Sequence, residues 1–146
     1  MSASAVVSLR LSQDQASRLR RMAKRLGRSA SEVGAQLLSE SLRQAEYTFI
    51  EFRDSPVGRQ AYIQGSRLTV WQVISILRDY TGDVGKAADH LRWPATKIHA
   101  AIAYAKSYPE EIEEAISENA STDFERLSQI LPGIQRLKAK APKATR

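Results

Sequence analysis

The sequence predicts a mainly α-helical protein with a few short β-strands. Over most of the chain, apolar residues recur every three or four positions, and each such run begins at a Ser, Thr, Asp or Pro of the kind that starts helices. Two stretches differ from this pattern. Residues 6–11 alternate between apolar and polar side chains, and the region around residues 47–64 is rich in aromatic and β-branched side chains, as is typical of strands.

The first predicted element is a strand with the sequence VVSLRL at residues 6–11. Val7, Leu9 and Leu11 fall on one face because side chains alternate along a strand. An isolated strand leaves its backbone N–H and C=O groups without partners. The sequence therefore predicts a partner strand for this segment.

Two amphipathic helices are predicted to follow. Ser12 and Gln15 form a capping-box pair for the first helix, which ends at Gly27, and Ser29 and Glu32 form the pair for the second. About 45 residues are too few to bury a strand and two apolar stripes. This first unit, residues 1–45, is therefore expected to need a second copy of itself. The stripes consist of Ala16, Leu19, Met22, Ala23 and Leu26, and of Val33, Leu37, Leu38 and Leu42.

Residues 46–119 are predicted to form a second unit, a small β-hairpin followed by a helical bundle. Strand-like residues at 47–53 and 60–64 flank the turn formers Asp54, Ser55, Pro56 and Gly58. Tight turns between the first three helices give the length pattern of a helix-turn-helix. The helices are predicted to start at Thr69, Asp83, Pro94 and Pro109.

Residues 120–146 are predicted to be an amphipathic segment followed by a basic tail of low complexity, which we expect to be disordered when free. The net charge of the chain is +6, and it is uneven. It is +5 over residues 1–45, −3 over residues 46–119 and +4 over residues 120–146. The basicity of the two ends favours an anionic partner.

Composition argues against several classes of protein. The chain has no cysteine and only two histidines, which are not spaced as zinc ligands, so we expect no metal, no cofactor and no enzymatic activity. It also lacks an apolar run of about 18 residues and a signal-like start, so we expect a cytoplasmic protein without a membrane partner.

Over residues 5–45, the order of strand, capped helix, glycine turn and second capped helix resembles the ribbon-helix-helix family of bacterial transcription factors. The resemblance implies a homodimer whose two strands pair into an antiparallel ribbon. It also implies that this ribbon lies in the major groove of double-stranded operator DNA, which is about 12 Å wide and admits a two-stranded ribbon. Val7, Leu9 and Leu11 would then face the helical core.

The outward face of the ribbon supplies the candidate base-reading residues Val6, Ser8 and Arg10. Arg10 suits the O6 and N7 atoms of guanine, Ser8 can donate or accept, and Val6 suits a thymine methyl group. Val6 departs from the family, in which this position is often polar or basic, so its base contact is expected to be weaker. The alternative is that Ser8 and Arg10 are simply the solvated side of an edge strand.

The Gly-x-Ser turn of the family corresponds to Gly27-Arg28-Ser29. The resemblance implies that this turn lies against the DNA backbone, where the start of the second helix binds a phosphate. The candidate phosphate-contacting residues are Arg28, Ser29 and Ser31.

The stretch GRQAYIQGSRLTVWQVI, residues 58–74, is similar to the Gly-x-x-x-Ile-x-Gly-Thr-Arg-Ile-x-Val pattern of an uncharacterised helix-turn-helix-like domain of bacterial antitoxins. It departs from the pattern by one extra residue between Gly58 and Ile63, and by Ser66 and Leu68 in place of Thr and Ile. The resemblance implies an antitoxin of the VapB kind, encoded beside a PIN-like ribonuclease toxin.

Two uses of this second unit compete, and its net negative charge favours binding to protein over binding to DNA. Arg67 is expected to pair with a carboxylate and hold the hairpin on the following helix. The candidate DNA-reading residues are Lys97, His99 and Lys106. The candidate interface residues are the large aromatics Trp71, Trp93, Tyr104 and Tyr108.

The last segment is the candidate toxin-binding region. A PIN-like active site is a pocket of carboxylates around a divalent metal, so a basic side chain on an amphipathic segment complements it. The alternative is a short helix packed on its own domain. The candidate residues are the basic Arg126, Arg136 and Lys138 and the apolar Phe124, Leu127, Ile130, Leu131, Ile134 and Leu137.

The sequence therefore predicts an antitoxin of a type II toxin-antitoxin system. Such a protein neutralises its ribonuclease toxin by direct binding and represses its own operon as a DNA-bound dimer. One alternative is a stand-alone ribbon-helix-helix repressor without a toxin partner. Another is a structural adaptor whose two domains only assemble oligomers.

Overall fold

A computed structural model of the chain describes residues 4–130. Within that range it contains six helices and one two-stranded antiparallel sheet, so the prediction of a mainly helical chain with short β-structure is confirmed. The elements are α1 (Gln13–Leu26), α2 (Ala30–Glu46), β1 (Ile50–Ser55), β2 (Gly58–Ile63), α3 (Val70–Asp79), α4 (Val84–Leu91), α5 (Ala95–Ser107) and α6 (Pro109–Ile130).

The two N-terminal helices are capped as predicted. The Ser12 hydroxyl accepts a hydrogen bond from the Gln15 amide at 3.2 Å, and the Gln15 side chain accepts one from the Ser12 amide at 3.0 Å. Gly27 ends α1 with a φ of 64°, a left-handed conformation that glycine adopts at little cost. Ser29 and Glu32 form the same capping box at the start of α2.

The strand predicted at residues 6–11 is not formed in the single chain. Residues 4–11 form neither helix nor strand, and both strands within residues 4–130 follow α2. A strand requires hydrogen bonds from a neighbouring backbone. In the described part of the chain, no other segment supplies them to residues 4–11. The ribbon thus remains a prediction about two chains.

The predicted hairpin is present and is tighter than expected. Ile50 pairs with Ile63 and Ser55 pairs with Gly58, which leaves only two residues in the turn. The Ser55 hydroxyl accepts a hydrogen bond from the Val57 amide at 3.3 Å and donates one to the Gly58 carbonyl at 2.8 Å. At the turn each strand is two residues longer than predicted, whereas β1 begins at Ile50 rather than at residue 47 and β2 ends one residue early, at Ile63.

The hairpin and helices α3 to α6 share one hydrophobic core and are called the body below. Helix α3 packs on α5 and α6, and α4 packs on α5. No helix within residues 4–130 is long and apolar enough to cross a membrane. The core is formed mainly by Ile50, Ile63, Val70, Val73, Ile74, Ile98, Tyr104 and Ile112.

Helix α6 is longer than predicted. It begins at Pro109, as expected, but it continues without interruption to Ile130. The expected boundary between residues 119 and 120 therefore lies inside a helix. Glu110 and Glu111 in its first turn match the sign of the helix dipole there, while Ile112 is buried in the core.

Candidate nucleic-acid interface

A groove of about 890 Å³ runs along the N-terminal unit. Alternate residues of the N-terminal segment line it together with residues of α1 and α2, among them the small residues Gly34 and Ala35. Val7 is 74 %, Leu9 66 % and Leu42 53 % exposed, although all are large and apolar. A continuous apolar surface of this kind marks an interaction site. The large apolar lining residues are Val7, Leu9, Leu11, Leu19, Leu37, Leu38 and Leu42.

The N-terminal segment has two distinct sides. Ala5, Val7, Leu9 and Leu11 line the groove. Val6, Ser8 and Arg10 do not line it and are exposed to solvent, with Val6 96 % exposed. This is the division that the alternating sequence predicts, even though the segment has no partner strand within the described residues.

The predicted phosphate-contacting turn is already occupied by a carboxylate. Glu32 Oε2 accepts hydrogen bonds from the Ser29 amide at 2.9 Å and from the Ser29 hydroxyl at 3.0 Å. These bonds lower the pKa of the Glu32 carboxyl. The Arg28 guanidinium donates to the Gln36 side chain. All three candidates are exposed, and Ser31 is the one whose side chain has no hydrogen bond within residues 4–130.

Basic side chains surround this turn along the polar side of α1. All of them are exposed, and among them only Arg18 has an ion pair in the described part of the chain, at 3.5 Å from Asp14. Exposed cations of this density attract a phosphate backbone without regard to base sequence. The residues are Arg18, Arg20, Arg21, Lys24 and Arg25.

Arg43 near the end of α2 joins the N-terminal unit to the body. Its Nη1 donates to the Tyr104 hydroxyl at 2.8 Å and to Glu111 Oε2 at 2.8 Å, and its guanidinium lies 3.8 Å from the centroid of the Tyr108 ring. The Tyr104 hydroxyl in turn donates to Glu111 Oε1 at 2.8 Å. Burial of Tyr104 and the adjacent Glu111 carboxylate raise the pKa of the phenol.

A second polar contact between the same two units joins Glu40 of α2 to Arg59 of β2. The Arg59 Nε and Nη2 atoms lie 3.1 Å and 2.6 Å from the two Glu40 carboxylate oxygens, a bidentate arrangement. Gln36 also donates to Glu40, at 3.0 Å. Burial of the Glu40 carboxyl opposes its ionisation, but the hydrogen bonds from Arg59 and Gln36 outweigh this effect and lower its pKa.

The sequence alone did not point to these contacts, although it contained a signal for them. Gln36, Glu40 and Arg43 follow Val33 at spacings of three and four, so they share the face of α2 that carries a fully buried valine. Charged residues on such a face need partners when they are buried.

The role expected for Arg67 is wrong. Arg67 is exposed and forms no ion pair within residues 4–130. Arg53 contacts the loop after the hairpin instead: its guanidinium lies 4.1 Å from the Tyr62 ring centroid and donates to the Ser66 carbonyl. Arg53 therefore links β1 to the loop that follows β2.

The four aromatic residues predicted to form an interface lie in different environments in the body. Tyr104 is completely buried, so it is not available as an interface residue. Tyr108 is half-buried and lines the groove of the N-terminal unit. Trp71 and Trp93 are half-buried against the core.

Of the candidate DNA-reading residues of the body, only two extend freely into solvent. The Lys97 ammonium lies 5.4 Å from the Trp93 ring centroid and 6.0 Å from that of Phe49, which is a cation–π arrangement. His99 and Lys106 are exposed.

The toxin-binding candidates fall partly within α6. Arg126 is exposed there, and Phe124, Leu127 and Ile130 are α6 positions. The remaining candidates lie outside the described residues: Leu131, Ile134, Arg136, Leu137 and Lys138.

No group of three or more His, Asp or Glu within residues 4–130 is arranged to hold a metal ion.

Comparisons with known proteins gave no match. No protein-family model, no curated protein and no solved structure matches this chain.

Proposed function

We propose that this protein is a dimeric DNA-binding antitoxin that represses its own operon and neutralises a PIN-like ribonuclease toxin by direct binding. The observation that carries the proposal is the exposed apolar groove of the N-terminal unit, whose wall includes the alternating residues of the N-terminal segment. The order of elements supports it, because this segment is followed by two capped helices joined through a glycine turn.

A second copy of the chain would supply both what the N-terminal segment lacks, a partner strand, and what the apolar groove lacks, a surface that covers it. The same segment of a partner supplies the missing backbone hydrogen bonds as an antiparallel strand. The groove-lining faces of both chains are then buried together. Complete burial of one Val or Leu side chain is worth ~1.5–3 kcal/mol, so the exposed groove side chains provide a substantial driving force for dimerisation.

The outward side of such a ribbon is the proposed DNA-reading surface. Val6, Ser8 and Arg10 are exposed there, opposite the groove-lining residues. The basic side of α1 adds phosphate contacts that do not depend on sequence. Because Ser29 is engaged by Glu32, we assign the phosphate contact at the start of α2 mainly to Ser31 and Arg28.

The second half of α6 is the proposed start of the toxin-binding segment. Its first half is fixed, since Ile112 is buried in the core of the body, Glu113 pairs with Arg78 of α3 and Glu111 pairs with Arg43 of α2. Residues 117–123 are all exposed. The net charge of +4 over residues 120–146 complements the carboxylates of a PIN-like active site.

The test is co-expression with the protein encoded by the adjacent reading frame, followed by affinity capture. We expect the full chain to retain that protein and silence its ribonuclease activity. A chain truncated after Asn119 should lose at least about a hundredfold in affinity, because it lacks the anchoring apolar and basic residues.

Binding to operator DNA and the thermal melting of the truncated chain serve as controls, since neither should depend on the removed segment. Undiminished toxin binding by the truncated chain would contradict the assignment of this segment. Failure of the full chain to bind any product of its operon would instead favour the stand-alone repressor.

A further inference from the structure

We propose that the dimer interface extends from the N-terminal unit onto the body, with Tyr108 contacting the second copy of the chain. The inference rests on the proposed function, because it takes the apolar groove to be the dimer interface. It adds that the second unit of the chain takes part in dimerisation, so that the two bodies are held in a fixed arrangement.

The groove does not end where α2 ends. Beyond Leu42 its lining continues over Arg43 and Glu46 in the last turns of α2 and reaches Tyr108. Tyr108 is the C-terminal cap of α5 and follows Leu42 by more than sixty positions in the sequence. One surface therefore combines side chains of both units.

Tyr108 is held in place at the groove wall. The Arg43 guanidinium lies 3.8 Å from its ring centroid, and the Tyr104 and Tyr47 rings lie at centroid distances of 4.8 Å and 5.9 Å. Arg43 is itself fixed by Glu111 at 2.8 Å. A ring packed by these neighbours presents a rigid surface, which lowers the entropic cost of binding a partner.

The occupant is a second copy of this chain because the Tyr108 surface is continuous with the groove that the copy would fill. Val7, Leu9 and Leu11 also line that groove, and the antiparallel pairing proposed for the two N-terminal segments places the second copy there. Tyrosine is also one of the residue types that are enriched in protein interfaces, and Tyr108 lines an apolar groove.

A consequence is that α2 does not act as a flexible stalk between the dimer and the bodies. Arg43 and Tyr108 tie the body to the N-terminal unit within each chain, and the partner contacts the same place. The two α6 helices are then held at a fixed separation in the dimer, and each presents its exposed residues 117–123.

The experiment compares the dimer dissociation constants of Tyr108→Ala and Tyr62→Ala full-length chains by analytical ultracentrifugation. Tyr62 is a matched control: it is also half-buried and lies under an arginine, with 4.1 Å between the Arg53 guanidinium and its ring centroid, but it does not line the groove. We expect Tyr108→Ala to weaken the dimer about tenfold or more, and Tyr62→Ala to change it less than about twofold.

A second pair of variants applies if Tyr108→Ala fails to fold, which circular dichroism would reveal. Glu46 and Glu118 are both exposed and helical, but only Glu46 lines the groove. Glu46→Arg should weaken the dimer, whereas the same substitution at Glu118 should not.

Equal dimer affinities within each pair would overturn the inference and leave the proposed function intact. A full-length chain that sediments as a monomer at every concentration would overturn both. Tight dimerisation that is lost on Tyr108→Ala but kept in Tyr62→Ala would support both.

Discussion

Arg10 and Arg28 illustrate, at the scale of single residues, how environment separates two arginines that both face DNA in the proposed dimer. Arg10 is exposed, lies outside the groove and has no hydrogen bond or ion pair within residues 4–130. Arg28 donates to Gln36 beside the start of α2. Arg10 is therefore available to read a base edge, whereas Arg28 lies beside the turn that we propose to contact a phosphate.

The two arginines should differ in their effects on DNA binding. Arg10→Ala should cost ~1–3 kcal/mol on the operator, and the loss should disappear when one operator base pair is changed. Arg28→Ala should weaken binding to all sequences alike and reduce the slope of log K against log salt by about 2 for the dimer, which is about 1 for each Arg28 side chain. Fluorescence anisotropy over a salt series measures both effects.

The opposite pattern would be informative. If Arg10→Ala lowered affinity equally for operator and unrelated DNA, Arg10 would be a phosphate-contacting residue, and the outward face of the N-terminal segment would not be the base-reading surface.

At the scale of elements, the junction between α2 and β2 depends on a charged pair at a largely buried position. Glu40 is only 8 % exposed, yet it carries a carboxylate that Arg59 and Gln36 satisfy. Arg59 also approaches Asp54, at 3.4 Å, but that carboxylate is 85 % exposed. Arg59 thus contacts one buried carboxylate, Glu40, and one exposed carboxylate, Asp54, so substitutions of these two residues can be compared directly.

Glu40→Gln should lower the free energy of unfolding by ~1–2 kcal/mol at neutral pH, because it removes the buried one of the two carboxylates that Arg59 contacts. Asp54→Asn should change it by less than ~0.5 kcal/mol, since exposed pairs contribute little. Urea denaturation at one fixed protein concentration measures both, because the stability of a dimer depends on concentration.

The Glu40 contribution should also depend on pH. Its pKa is lower in the folded chain than the ordinary value of 4.5, so the native state favours the ionised form. The stabilisation is complete above the ordinary pKa and is lost as pH falls through the lowered one. The difference in the free energy of unfolding between the wild-type chain and Glu40→Gln should therefore become smaller in acid. A difference that does not change with pH would contradict the stabilising role of the ionised Glu40 carboxylate.

The helices could be predicted from the sequence because their signals are local. Ser12 with Gln15, Ser29 with Glu32 and Thr69 with Gln72 each form the capping box that their spacing indicates. The hairpin was predictable for the same reason. The end expected for this helix near residue 119 was wrong, although the signal was again local: no Pro or Gly separates Asn119 from Ala120, which favours a helix, α6, that continues.

The contacts between elements could not be predicted, since they join residues far apart in the sequence. Arg43 meets Tyr104 and Glu111 across more than sixty positions, and no local pattern specifies that pairing. Among the candidate site residues, the alternation in the N-terminal segment was informative. The prediction of Tyr104 as an interface residue was wrong. Its hydroxyl accepts a hydrogen bond from Arg43 and donates one to Glu111, so the side chain can be completely buried within the chain.

At the scale of the whole molecule, charge and apolar surface are segregated between the two units. The net charge is +5 over residues 1–45 and −3 over residues 46–119. Among the residues whose side chains the structure describes, the exposed large apolar ones also concentrate in the N-terminal unit, apart from Val57 in the hairpin turn. A basic unit with an apolar groove, attached to an acidic middle unit, fits the proposal that residues 1–45 contact DNA and form the main part of the dimer interface.

The central claim is that residues 6–11 of two chains pair as antiparallel strands, and cysteine crosslinking tests it most directly. The chain has no native cysteine, so single cysteines placed in turn at positions 6 to 11 report only on that pairing. Opposed residues of antiparallel strands have Cα atoms about 4.5–5.5 Å apart, within the range that a disulfide spans. Val57→Cys, at a position 75 % exposed in the hairpin turn, is the control.

Under mild oxidation at a dilute concentration, we expect the yield of crosslinked dimer to peak at the position nearest the twofold axis and to decline on both sides. The Val57→Cys chain should crosslink slowly. Equal, slow crosslinking at all positions, indistinguishable from Val57→Cys, would contradict the pairing of the two N-terminal segments.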